Sequence, residues 1–401
     1  MTRLLPLPSV MTTAAAFTAL CAGAGIANAA GFSQTNLVSN MPGLAAATDS
    51  SLVNPWGVSF ANGSPVWISD QGTQTSPLFS VTGSTGVSNQ PLFTVNIPPM
   101  GAAGPTGQVA NALAISGKPA GFDISIASGG NGAPADFIFA NLNGSISAWN
   151  GAPMTQAHTQ TTVAGASFTG LAINQADTEL FAANTAGAGG IDVFNNAFQQ
   201  IIEAPGAFAT PTAVSAAGLV PFNVTDLGGN VFVTYAPSGH IPQTMATAGQ
   251  GAVAEFSENG GLEKAIVGGP LASPWGVAIA PSSFGEFGGD LLVGNFSFVP
   301  GVADMINAFD PMTDALVGSI EVNPGAGNTA GGLWSIVFGG GGSDGNPNTL
   351  FFTDGINGET GGLFGSLTAV PEPSTWAMML GGFGGLALLA ARRRRASPAI
   401  G

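Results

Sequence analysis

An apolar run opened by an aromatic or polar residue recurs six times along the chain: Trp56 in WGVSF, Asn111 in NALAI, Thr169 in TGLAI, Phe222 in FNVTD, Trp275 in WGVAI and Trp334 in WSIVF. The steps between openings are 55, 58, 53, 53 and 59 residues. Behind each opening comes a second β-rich run. Five of these six runs close on Asp or Asn, at Asp70, Asn141, Asn184, Asn295 and Asp354, with Tyr235 in the remaining place. A third run is legible at 78–81, 146–149, 191–194 and 305–309. Short apolar strands at a fixed period cannot cover their own faces, and they predict sheets stacked round an axis, one four-stranded blade per repeat. The expected fold is therefore all-β, a six-bladed β-propeller over residues 30–369.

Ahead of the first opening, Thr35-Asn36-Leu37-Val38-Ser39 reads as a strand. Pairing it with residues 362–367 would close the last blade and remove both exposed sheet edges, so that pairing is expected. Between the runs the chain is rich in Gly and Pro, 61 and 28 of 401 residues, while 45% of it is apolar, too much for a disordered polymer. Glycine and proline are thus turn punctuation, and amphipathic helix patterns are absent.

The two ends differ from the repeats. Residues 1–29 begin with Arg3, run apolar to Ile26 and close on Ala27-Asn28-Ala29, where Ala27 and Ala29 supply the small residues of a secretory cleavage site. Cys21, the only cysteine, lies in this segment, so the exported part has no thiol or disulfide. After Leu367 come Pro371-Glu372-Pro373, an apolar run over 377–391, and Arg392-Arg393-Arg394-Arg395. This run is at the short end for a membrane-spanning helix, and the arginines after it would hold the terminus in the cytoplasm. Residues 370–396 form one sorting segment, and 397–401 a short tail.

Those three features resemble the PEP-CTERM sorting signal. The resemblance implies processing by an exosortase, passage through the secretion machinery and the inner membrane, and delivery to the cell surface or matrix of an exopolysaccharide-producing Gram-negative bacterium. The repeat region, through Asn36-Leu37-Val38-Ser39, Asn54-Pro55-Trp56-Gly57 and its second copy at 273–276, resembles a family of exported β-propeller proteins, and more distantly NHL-type propellers. Neither resemblance implies an activity.

Charge narrows the partners. Between residues 30 and 370 there are two cations, Lys118 and Lys264, against 21 acids, a formal charge of −19. Such a surface repels nucleic acid and suits solubility or divalent cations.

Chemistry is sparse. Trp56, Phe222, Trp275 and Trp334 share a repeat position at the channel entrance, as stacking faces for a flat ligand or sugar, or as spacers between blades. Asp70, Asn141, Asn184, Asn295 and Asp354 are either oxygen donors to a calcium ion or residues suited to the turns that follow them. The loop 354–359 is the best single calcium candidate. His158 and His240 have no carboxylate or nucleophile nearby in sequence, and Gly341-Gly342-Ser343-Asp344-Gly345 copies a nucleophile elbow without its strand and helix. Gly340, Gly342 and Gly345 spell a dinucleotide fingerprint with no βαβ unit around it. The expectation is a non-catalytic binding or structural protein with no certain cofactor. The alternative is a calcium-dependent hydrolase of lactonase type.

Overall fold

The computed structural model describes residues 31–370, apart from 62, 90, 99–103 and 152–154. Each repeat folds as an antiparallel sheet, and the first strands of the six sheets are Pro55–Ser59, Pro105–Ala110, Phe168–Ile173, Leu219–Asp226, Pro274–Ile279 and Leu333–Phe338. Each of these touches the first strand on either side, the last touching the first, so they form the inner wall of a closed ring of six blades. The second strands, Val66–Asp70, Phe137–Asn141, Glu179–Asn184, Asn230–Pro237, Leu291–Asn295 and Thr349–Asp354, end where the sequence pattern placed them, except that the fourth runs two residues past Tyr235.

Two boundaries differ from the sequence reading. In blade 2 the first strand is Pro105–Ala110, and Asn111 instead caps a one-turn helix, Ala112–Ile115, by accepting from Ala114 N. The residue equivalent to Trp56 in that blade is Thr106, and its Pro-Thr-Gly repeats the Pro-Trp-Gly of blades 1 and 5. The third strand of blade 1 is Thr75–Phe79, and Val81 belongs to a separate hairpin with Val87.

Closure of the ring follows the expected pairing. Phe32–Ser39 runs antiparallel to Leu363–Ala369, from Phe32 opposite Ala369 to Ser39 opposite Leu363, with one irregularity between Asn36 and Val38. Ser39 Oγ donates to Gly362 O at 2.7 Å, and Asn40 Oδ1 accepts from Gly362 N at 2.9 Å. Leu37 and Val38 are fully buried and share a core with Ile68 of blade 1 and Phe351 of blade 6. At about 1.5–3 kcal/mol for each large apolar side chain buried, seams of this kind are the main stabilisation of the ring.

The Trp-Gly pairing has a packing cause. A Cβ on Gly57 would lie 2.6 Å from Thr106 O of the next blade, and one on Gly276 would strike Trp334 O of the blade after it. Gly107 and Gly170 face the following blade's backbone in the same way. Where blade 4 carries Asn223 instead, its Nδ2 donates to Trp275 O at 2.9 Å, so an amide bridges the gap that glycine closes elsewhere. The inner wall is thus built by backbone approach from blade to blade.

The remaining helices are single turns, among them His240–Thr244, and no helix of the described residues is long and apolar enough to cross a membrane. The cleavage residues Ala27 and Ala29, the motif Pro371-Glu372-Pro373, the apolar run and Arg392 to Arg395 lie outside the described residues.

Candidate functional site

The first strands enter the ring through a sharp corner. Asn54 and Ser273 hold positive φ, 49° and 47°, immediately before Pro55 and Pro274. Proline then fixes the strand entry and places the next residue, the tryptophan, at the axis. Trp56, Phe222, Trp275 and Trp334 meet one another there, together with Phe296, and each is at most 4% exposed. Trp56 and Trp334 stack with ring centroids 3.4 Å apart, and Trp275 meets both edge-on at 6.2 and 5.8 Å. Phe222 packs against Trp56, Trp334 and Phe296. The four aromatics expected as an open ring or as spacers between blades form one plug across the channel.

Two of the three indoles are anchored. Trp275 Nε1 donates to Thr169 O at 2.9 Å, from blade 5 to blade 3, and Trp334 Nε1 donates to Asn54 Oδ1 at 2.9 Å. Trp56 Nε1 is buried with no acceptor among the described residues.

A cavity lies on each side of the plug. The lower one, about 420 Å³, is walled by the continuing first strands, with Phe60, Ile173, Ile279 and Phe338 among its apolar lining. Its buried amides are engaged within the protein, Gln108 with Trp67 O and Gly57 O, and Asn223 with Trp275 O. The upper one, about 590 Å³, lies over Trp56 and Leu142 and is bordered by Asn54, Gln71, Gln243, His240 and Glu359. Hydroxyls of Ser167, Thr185 and Ser238 complete its polar wall.

His240 finds a carboxylate here. Its Nε2 lies 2.6 Å from Glu359 Oε2, and Asn54 Nδ2 donates to Glu359 Oε1 at 3.1 Å and to Gln71 Oε1 at 3.0 Å. A chain of contacts therefore runs from the plug to the rim, Trp334 to Asn54 to Glu359 to His240. The hydrogen bond that His240 makes to the Glu359 carboxylate raises the His240 pKa above its ordinary value, against the lowering effect of burial. His240, which has no carboxylate near it in sequence, is thus not alone: its partner stands 119 residues away. His158 opens the outer strand His158–Thr162 of blade 2, with Nδ1 3.0 Å from Ser128 O.

The second-strand termini serve mainly their own loops. Asn295 accepts from Ala272 N at 3.0 Å and donates to Pro270 O and Val302 O, and Asn184 accepts from Ser167 N and Ala186 N. Asn141 donates to Ser145 O and Ser147 Oγ. Asp70 and Asp354 are fully buried, with no hydrogen-bond partner on either oxygen among the described residues. Burial drives both carboxyls well above the usual range, with Asp49 adding to the effect on Asp70 and Asp304 to that on Asp354. Asp304, which the sequence reading missed, is buried too and is raised to about 7, although Gly331 N donates to its Oδ2 at 2.9 Å. In the loop 354–359, Asn357 accepts from Thr329 N while Glu359 turns to His240, so its oxygens diverge.

Calcium takes ~6–8 converging oxygens. Among the described residues no three His, Cys, Asp or Glu side chains lie close enough to hold a metal ion; buried Asp70 is influenced by the half-buried Asp49, and buried Asp354 by Asp304. Ser343 sits in the loop between the first two strands of blade 6, where Asp344 accepts from Gly63 N and Gly342 N. No strand-to-helix elbow surrounds it.

Comparison with known proteins adds the following. The PEP-CTERM protein-sorting motif matches residues 369–395. An uncharacterized protein of Acanthamoeba polyphaga mimivirus is 27% identical over 347 residues, covering 82% of this chain and 78% of that one. Among solved structures, a streptogramin B lyase is 12% identical with a TM-score of 0.47, covering 84% of this chain and 97% of its own. A protein of unknown function from Bacteroides thetaiotaomicron is 11% identical with a TM-score of 0.49, covering 84% of this chain and 76% of its own. At such identities and scores these likenesses carry no functional inference. The motif implies export, membrane-associated sorting in bacteria and processing of the exosortase type. Ring and motif together make the chain a six-bladed β-propeller with a PEP-CTERM protein-sorting motif at its C-terminal end.

Proposed function

We propose that the propeller works outside the cytoplasm of a Gram-negative bacterium as a non-catalytic binding or structural component of the cell surface or extracellular matrix, taking its ligand in the upper cavity. Residues 1–29 would act as the signal peptide, and residues 370–396 would hold the precursor at the inner membrane until an exosortase acts on it. Exopolysaccharide of the matrix is the partner this address offers. The observation that carries the reading is the upper cavity itself. It is concave, within the ~300–1,000 Å³ range of ligand sites, and floored by a sealed aromatic plug. Its single acid–base pair has its carboxylate already held by Asn54.

The calcium-dependent hydrolase alternative would need several carboxylate, amide or carbonyl oxygens converging on one point, and the expected donors Asp70, Asn141, Asn184, Asn295 and Asp354 lie at the ends of five different second strands. Fractionation of cells expressing the full chain tests the export half, with Pro371, Glu372 and Pro373 each replaced by Ala in a second strain. Surface or matrix protein in the first strain and inner-membrane retention in the second are expected. Cytoplasmic protein in both sinks the proposal. Retention of matrix polysaccharide by the intact chain, lost in Ala186→Trp, which fills the cavity, tests the other half.

A further inference from the structure

Resting on the reading of the upper cavity as the ligand site, we infer that the ligand is a neutral saccharide, and that acidic or phosphorylated sugars are excluded. Asn54 in the polar wall is engaged by Trp334, Gln71 and Glu359, and the groups that can both donate to and accept from a ligand are the side-chain amide of Gln243 and the hydroxyl of Ser238. Sugar hydroxyls also do both, whereas a carboxylate or phosphate only accepts and calls for cations or a surplus of donors. No such surplus of charge exists here. The two lysines of the described residues are not among the residues that border the cavity, and Lys264 is taken up by Glu255 at 3.3 Å and Asp314 at 3.5 Å.

The one cationic group at the rim, His240, is already matched by Glu359, and an incoming anion would meet that carboxylate. Against the polar wall stands an apolar floor, Leu142 with the small part of Trp56 that the plug leaves uncovered, on which the C–H groups of a sugar would rest. Gln243 is the most telling wall residue. It is 6% exposed, and its side-chain amide has no hydrogen-bond partner among the described residues, so both its donor and its acceptor functions are available to a ligand.

The test is calorimetric titration of the full chain, kept in a non-glycosidic detergent so that no detergent sugar competes. The probes are cellobiose, lactose and maltose, with digalacturonic acid and glucose 6-phosphate as the charged set. At least one neutral disaccharide should bind ten-fold or more tightly than either charged probe, and Gln243→Leu should weaken it at least ten-fold. Ala186→Trp should abolish it, which keeps the outcome readable if Gln243→Leu fails to fold. A charged probe that binds as well or better, and is lost in these variants, overturns the neutral class while leaving the site in place. Binding untouched by both variants, or no binding by any probe, overturns the site and the class together.

Discussion

Trp56 and Trp334 lie face to face with their planes 19° apart, joining the first blade to the last at the centre of the ring. Their stacking ties the sealing of the channel to the closing of the ring, because the same contact does both. Trp334 is fully buried, and truncation to Ala is expected to cost about 3–5 kcal/mol. Urea unfolding of Trp334→Ala beside the parent chain checks this; a loss under ~1 kcal/mol would show that the plug contributes little to stability.

Backbone approach between first strands makes a separate prediction. Gly276→Ala forces a Cβ against Trp334 O and to 2.9 Å from Ile336 N, and overpacking of this kind costs about 1–3 kcal/mol. Gly190→Ala, with nothing within 4 Å of its Cβ and no positive φ, should be neutral or slightly stabilising. Equal losses at the two sites in denaturant titrations would contradict the packing account.

The buried pair Asp304 and Asp354 predicts a pH dependence of stability. Both carboxyls titrate above their unfolded values, so the folded chain holds protons that the unfolded chain has released. The stability associated with Asp304 is complete below a pH of about 4 and is lost as pH rises through about 7, and Asp354 adds a loss of the same sign. Melting temperature should therefore fall between pH 5 and 8 in the parent chain. In Asp304→Asn, which removes one of the two titrating groups while Asp354 stays buried, the fall should be shallower, and an unchanged slope would exclude Asp304 as a source.

His240 gives the second pH signature. Glu359 raises its pKa, so the stability it contributes is present at low pH and fades as pH rises through the folded-state value. Titration of the imidazole by NMR should place its midpoint above 6.5, and Glu359→Gln should bring it down to or below that value, because burial then acts unopposed. A midpoint unmoved by the substitution would mean that the pair is not formed in solution.

The fold was legible because its signals are local and repeated. Trp56, Trp275 and Trp334 mark the same strand entry, and Asp70, Asn295 and Asp354 mark the same strand exit. Blade 2 misled because Thr106 stands where tryptophan stands elsewhere, while the apolar Ala112–Ile115 beside it resembles a strand in composition. The upper cavity was not legible, since it is assembled from segments of five different blades. Glu359 reaches His240 only after the ring has closed. Asp304 had a faint signal. It holds a φ of 55° just before a third strand, where Gly144 and Gly189 stand in blades 2 and 3, so a carboxylate there departs from the repeat.

The seam between Phe32–Ser39 and Leu363–Ala369 sets an order of events in biogenesis. The strand Phe32–Ser39 of the last blade is the earliest part of the ring to be synthesised, and its mate is the latest. Until that mate has been made, the seam has only one of its two strands. It can latch only once Ala369 has emerged, at the point where the match to the sorting motif begins.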